Sequence, residues 1–218
     1  MKEAVATAIR AHYAAGYDEV NRCWRTERGE GDQAMAYCMR PLREQVVREG
    51  DATWVYVALA SASDISGHPD YIYGRADTGV MDAFKLRVAA DGTPTVVAQG
   101  LGMPFGSAGD CGCANADFVQ VGPRAHGWMF TSGGTWQGAT VASHALVVPV
   151  GRTFKDVAAM PRYVEEDPAV EYRLSMAPPT AGEWYPLEYS QWRDGKRVRT
   201  TRITFDPASG RYRATGAL

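Results

Sequence analysis

Four cysteines are the first residues in this chain that could do chemistry. They fall in two close pairs, Cys23 with Cys38 and Cys111 with Cys113. An even count at such spacing points to disulfides and an oxidising compartment. The alternative is four reduced thiols used as small core hydrophobes in a cytoplasmic protein. Cys111-Gly112-Cys113 supports three readings. Bonded to each other, or to Cys23 or Cys38, the pair is structural. A bond closing so small a ring is also a candidate redox switch, but a thiol-exchange site normally lowers its thiol pKa at a helix N-terminus, and none is predicted here. Two thiolates one residue apart, with Asp110, Asp117 or His126 nearby, also suit a soft ion such as zinc, although no second cysteine or histidine pair at regular spacing joins them.

These two cysteines lie in a glycine-rich stretch running from Gly100 to Asp117. A phosphate cradle needs glycine amides facing the anion with a helix N-terminus behind them. Here Phe118-Val119-Gln120-Val121 predicts a strand, and no Gly-Lys-Ser/Thr ending follows. Asp110, Asn115 and Asp117 lack the alternating oxygen spacing of a calcium loop. A loop stitched by cysteine fits better, and no cofactor is implied.

The histidines give no nucleophile–base pair. His126 shares a predicted strand face with Trp128 and Phe130. Ser143 and His144 are strand neighbours and project to opposite faces. His68 lies in a loop beside Asp70 without a serine elbow to serve, and His12 joins an apolar helical stripe. Glu165, Glu166 and Asp167 form an acidic run between two prolines, which reads as a solvated loop.

Two features suit a partner. Arg193, Lys196, Arg197, Arg199, Arg202, Arg211 and Arg213 crowd one segment against only Asp194 and Asp206. On strands this makes a positive face for an acidic protein or polyanion; it serves equally as the charged guard of an edge hairpin. Trp128, Phe130 and Trp136 surround Thr131-Ser132-Gly133-Gly134, a ring set that binds a sugar or protein if exposed and is core if buried. The candidate surface is therefore Trp128, Phe130, Trp136, Arg197, Arg199 and Arg202.

The elements that must position these residues follow from length and periodicity. The 218 residues are 45 % hydrophobic and 22 % charged, which suits one globular domain over 1–218 and excludes disorder. A net charge of −2 gives no global case for nucleic acid. No apolar run is long enough for a membrane span. Residues 1–20 lack the apolar core of a signal peptide, so the expectation of a periplasmic or secreted protein rests on the cysteines alone.

Apolar residues from Val5 to Trp24 recur at three- and four-residue steps and predict a helix over 3–26. After a polar turn, Asp32 offers an N-cap for a second helix over about 33–49, which Pro41 breaks or kinks. This predicts a helical hairpin over 1–50, with Cys23 and Cys38 facing across it; a bridge there would add roughly 3 kcal/mol in the chain-entropy model. From Thr53 the period changes. Trp54–Ala60 is apolar on both faces, as in a central covered strand. Further strands are predicted at about 80–90, 93–99, 117–122, 126–132, 139–149, 170–176, 184–192, 196–205 and 211–215, with Asp91-Gly92 and Asp194-Gly195 as hairpin turns. Loops 61–79 and 100–116 are long and polar.

The fold expected is α+β and mainly β: an antiparallel sandwich or open barrel-like sheet with a helical hairpin packed on it. The function expected is that of a non-catalytic exported protein binding another macromolecule, for instance as an inhibitor or immunity-type partner. The alternative is a metal-binding or thiol-dependent protein with its site in the 100–117 loop. Alkylation of protein from its native compartment under denaturing conditions, followed by intact mass, is expected to find no free thiol. Four free thiols would overturn the export argument.

Overall fold

The structure is a computed structural model describing residues 2–13, 16–31, 34–65, 68–136, 139–163 and 169–214. It is mostly β, 61 % strand and 5 % helix, in antiparallel sheets of which one curls as a half-barrel. In chain order the elements are α1 (Lys2–Arg10), β1 (Tyr17–Asp18), β2 (Cys23–Arg28), β3 (Met35–Pro41), β4 (Gln45–Glu49), β5 (Ala52–Ser61), β6 (Gly79–Val88) and β7 (Pro94–Phe105). There follow β8 (Asp117–Gly122), β9 (Ala125–Trp136), β10 (Ala139–Val150), β11 (Thr153–Asp156) and β12 (Met160–Pro161). The last four are β13 (Val170–Met176), β14 (Leu187–Arg193), β15 (Lys196–Asp206) and β16 (Arg211–Ala214). No helix among the described residues is long and apolar enough to cross a membrane. The chain divides into two compact units, Met1–Ala114 with Gly151–Phe154, and Asn115–Val150 with Lys155–Leu218.

The first unit corrects the expected helical hairpin. Among the described residues α1 is the one α-helix, and β1 to β4 lie where the rest of the hairpin was expected. Val5 and Ile9 of the predicted stripe are buried, but Tyr17 and Val20 are exposed, Val20 at 85 %. The periodicity misleads because β3 is covered on both faces. Tyr37 and Met39 enter one apolar cluster while Cys38 enters another, so the alternation that marks a strand is absent. Pro41 ends β3, and β3 and β4 then lie in succession along the same side of β5. The expected N-cap, Asp32, lies outside the described residues. So does the acidic run Glu165, Glu166 and Asp167.

Within this unit the strands run in the order β1-β2-β3-β5-β6-β7. Val55, Val57 and Leu59 of β5 and Phe84 and Leu86 of β6 face α1, whose Val5 and Ile9 close the core with Tyr13. The single helix thus does the covering that a hairpin was expected to do. Cys23 and Cys38 are bonded across the adjacent strands β2 and β3, with Cα atoms 5.3 Å apart.

In the second unit β8-β9-β10 form one sheet, with β12 beside β10, and β13-β14-β15-β16 form another. Both sheets contribute to one core, Val121, Leu146 and Val148 meeting Leu174, Leu187, Tyr189, Ile203 and Tyr212. Asp156 anchors it. Its Oδ1 accepts from the amides of Leu146, Ala158 and Ala159 at 2.9, 3.1 and 3.3 Å, while burial pushes its carboxyl pKa up. The turn at Asp194-Gly195 forms as predicted, both residues having positive φ, 49° and 73°.

His144 ties the two sheets of this unit together. Its Nε2 lies 2.8 Å from the Tyr172 carbonyl of β13, which only accepts, so Nε2 carries the proton. Its Nδ1, 3.4 Å from Thr131 Oγ1, is left to accept. The neutral ring satisfies both partners. Burial lowers the His144 pKa below its ordinary value, and Arg162 adds to that while Glu171 opposes it. A folded-state pKa below the unfolded one means that the unfolded chain binds more protons. The contribution of His144 to stability is therefore complete above the unfolded value and is lost as pH falls through the folded value. Urea unfolding at about pH 7.5 and about pH 5 is expected to show wild type losing more stability in acid than His144→Gln. Equal losses would contradict the assignment.

Candidate functional site

The glycine-rich loop is a packed structural element. Strand β7 continues to Phe105, so the first glycines of the stretch belong to the sheet. Beyond it the loop is clamped onto the first unit. Ser61 Oγ donates to the Gly109 carbonyl at 2.6 Å and accepts from the Val80 amide at 3.0 Å. A Cβ on Gly79 would overlap the backbone of Asp110 and Cys111, so glycine there permits the close approach. The loop amides point inward: Gly109 donates to Asp77 O, Asp110 to Ser107 O, Gly112 to Asp110 Oδ1 and Cys113 to Cys111 Sγ. Amides engaged in this way form no phosphate cradle.

Cys111 and Cys113 are bonded to each other and fully buried, so neither is a thiolate ligand in this state. No group of three or more His, Cys, Asp or Glu side chains arranged to hold a metal occurs among the described residues. In the second unit His126 stacks on Phe118, ring centroids 5.6 Å apart, and exposed Asp117 starts β8 opposite Met129. Trp128 and Phe130 are buried, 1 % and 7 % exposed, which makes these two rings core. Trp136 ends β9, paired with Ala139.

The strongest buried polar cluster was not singled out in the sequence. Asp82 sits on β6 with no exposed surface. Its Oδ2 accepts from Tyr13 Oη at 2.7 Å and from Arg28 Nη2 at 3.1 Å, and its Oδ1 accepts from the Gly102 amide at 2.6 Å. That amide is available because the β6–β7 register shifts between Met81 and Ala83, giving β7 an extra residue. Gly102, at φ 63°, also lies against the Arg28 side chain. Burial, and then the Asp82 carboxylate, push the Tyr13 hydroxyl well above its usual pKa, so it remains a donor. One acid inside the apolar run Val80-Met81-Asp82-Ala83-Phe84 was the signal available in sequence. Both carboxylate oxygens of Asp82 are engaged by the protein itself, so this cluster ties the segment after α1 to β2, β6 and β7.

The exposed site that remains is the outer face of the four-stranded sheet. Cross-strand partners share a face. Trp192 pairs with Glu171 on one side and Arg197 on the other, while Ser190 pairs with Arg173 and Thr200, and Glu188 with Arg202. Thr204 pairs with Arg213 and Asp206 with Arg211. By simple alternation Arg197 and Arg202 would face opposite ways. The register shift between Gln191 and Trp192 brings both to the outer face. Arg199, opposite Gln191, falls on the other face.

The acids of this face are largely engaged. Glu171 receives both Arg162 at 2.8 Å and Arg173 at 3.0 Å. Asp206 lies 3.7 Å from Arg213 and accepts from Ser209 Oγ at 2.7 Å. Arg173 lies over the Trp192 ring at 4.1 Å, an arrangement that holds the guanidinium flat on the sheet. Arg197 and Arg202 are exposed and make no ion pair with the described residues. No protein-family model, curated protein or solved structure matches the chain.

The weight carried by Asp82 is testable through its partner. Arg28→Met keeps bulk but leaves a buried carboxylate without its cation, and is expected to cost about 3–5 kcal/mol in urea unfolding. Adding Asp82→Asn removes the uncompensated charge, so the double variant is expected to be more stable than Arg28→Met alone. A double variant less stable than the single would mean that charge pairing is not the controlling term.

Proposed function

We propose that this is a non-catalytic binding protein of an oxidising compartment that engages an acidic protein partner through the outer face of β13–β16. The observation that carries this reading is the pair Arg197 and Arg202, exposed, set on one face by a bulge and without ion-pair partners among the described residues. A protein of net charge −2 that gathers unpaired arginines on one sheet is locally polarised, and such a patch steers and orients an oppositely charged surface. An acidic protein fits better than nucleic acid. The large ring on this face, Trp192, is already covered by Arg173, so it offers no open platform on which bases could stack. The Cys23–Cys38 disulfide and the bonded Cys111–Cys113 pair support the reading of an oxidising compartment. An inhibitor or immunity-type role is one form of such binding.

The test compares immobilised wild type with Arg197→Glu/Arg202→Glu, both exposed to extract from the protein's own cells. Both changes are on exposed strand positions, and circular dichroism checks that the fold is kept. Wild type is expected to retain an acidic protein that is released by roughly 0.5 M salt and is not retained by the charge-reversed form. Retention unaffected by the two substitutions would sink the assignment of this face.

A further inference from the structure

A lysine set against two rings gives the first unit a chemistry of its own. Lys85 of β6 pairs with Tyr56 of β5, whose partner on the other side is Gln45 of β4. Two residues back along β5, Trp54 stands between Arg87 and Val47. Cross-strand partners share a face and residues two apart repeat it. Lys85, Tyr56, Trp54, Val47 and Glu49 therefore lie on one side of the sheet. The Lys85 amine is 4.4 Å from the centre of the Trp54 ring and 5.2 Å from that of Tyr56. Lys85 and Trp54 are partly buried, and Tyr56 has no exposed surface.

The ring faces are the only partners the amine has, for Lys85 makes no hydrogen bond or ion pair with the described residues. Trp54 Nε1 and Glu49 Oε1, on the same face, are buried and also without a hydrogen-bond partner there. Polar atoms so placed are rare in a folded protein and mark a spot where a bound group can supply what is missing. Burial pushes the Lys85 pKa below its ordinary value, and Glu49 opposes that shift. More of this amine is neutral near pH 7 than of a fully solvated lysine, which makes it a better nucleophile.

We propose that Lys85 is a covalent capture site for an aromatic aldehyde, held as an imine beside Trp54 and Tyr56. The lysine nitrogen adds its lone pair to the carbonyl carbon. The carbonyl oxygen then leaves as water, and a C=N bond replaces C=O without any oxidant or reductant. The rings select the class, since they stack on an aryl group and keep water from the C=N bond. Glu49 balances the charge of the protonated imine. This site goes beyond the binding face of the second unit and does not depend on it.

The experiment incubates the full chain with 4-hydroxybenzaldehyde or with acetaldehyde. Sodium cyanoborohydride delivers hydride to the imine carbon, fixing each adduct as a secondary amine, and peptide mapping by mass gives the initial rate at each lysine. At pH 7, 4-hydroxybenzaldehyde is expected to label Lys85 at least about fivefold faster than the exposed Lys155 and Lys196. That margin should narrow as pH rises into the ordinary lysine range. Trp54→Leu, with its fold checked by circular dichroism, is expected to lower the preference of Lys85 for the aromatic aldehyde by about threefold or more. The preference at Lys155 and Lys196 should not change.

Labelling of Lys85 no faster than that of Lys155 and Lys196 would overturn the proposal, because burial would then be shielding the amine. A rate advantage that is the same for both aldehydes, and the same in Trp54→Leu, would overturn the aromatic class. Neither result touches Arg197 or Arg202, so the reading of the outer face stands or falls by its own test.

Discussion

A single carboxylate without exposed surface organises the first unit. Asp82 is tolerable inside an apolar sheet only because three donors converge on it, from the segment after α1, from β2 and from the bulged edge of β7. Burying an ionised carboxylate otherwise costs more than the surrounding apolar contacts return. The bulge that frees the Gly102 amide, the positive φ of Gly102 and the buried Tyr13 hydroxyl are thus parts of one arrangement. Moving any one of them would leave a charge in the core without its partner.

The second unit solves a similar problem with neutral groups. His144 joins its two sheets through a donor and an acceptor that only the uncharged ring supplies together. Asp156 is only partly buried, unlike Asp82, and backbone amides hold it rather than a cation. Asp82, His144 and Asp156 thus find their hydrogen-bond partners within the fold. Satisfied groups of this kind fix register and crossing of strands, and they offer nothing for a substrate to complete.

Arg197 and Arg202 of β15, exposed and without ion pairs among the described residues, lie on the outside of the second unit. There a bulge has a different consequence. It reorients a strand that would otherwise split Arg197 and Arg202 between faces, and it leaves Val198 exposed.

The sequence by itself determined the β character of residues 53–214, most of the strands there and the hairpin at Asp194-Gly195. These depend on local signals: alternation and turn chemistry. It did not determine β1 to β4. There both faces of β3 are buried, and the residues that bury them come from α1, β5 and the 61–79 loop, far away in the chain. Nor could it separate Trp128 and Phe130 of β9, which became core, from the arginines of β15, which stayed exposed. Only the tertiary structure decided that Arg197 and Arg202 share a face, because a one-residue bulge inverts every side chain beyond it and leaves no periodic trace in the sequence.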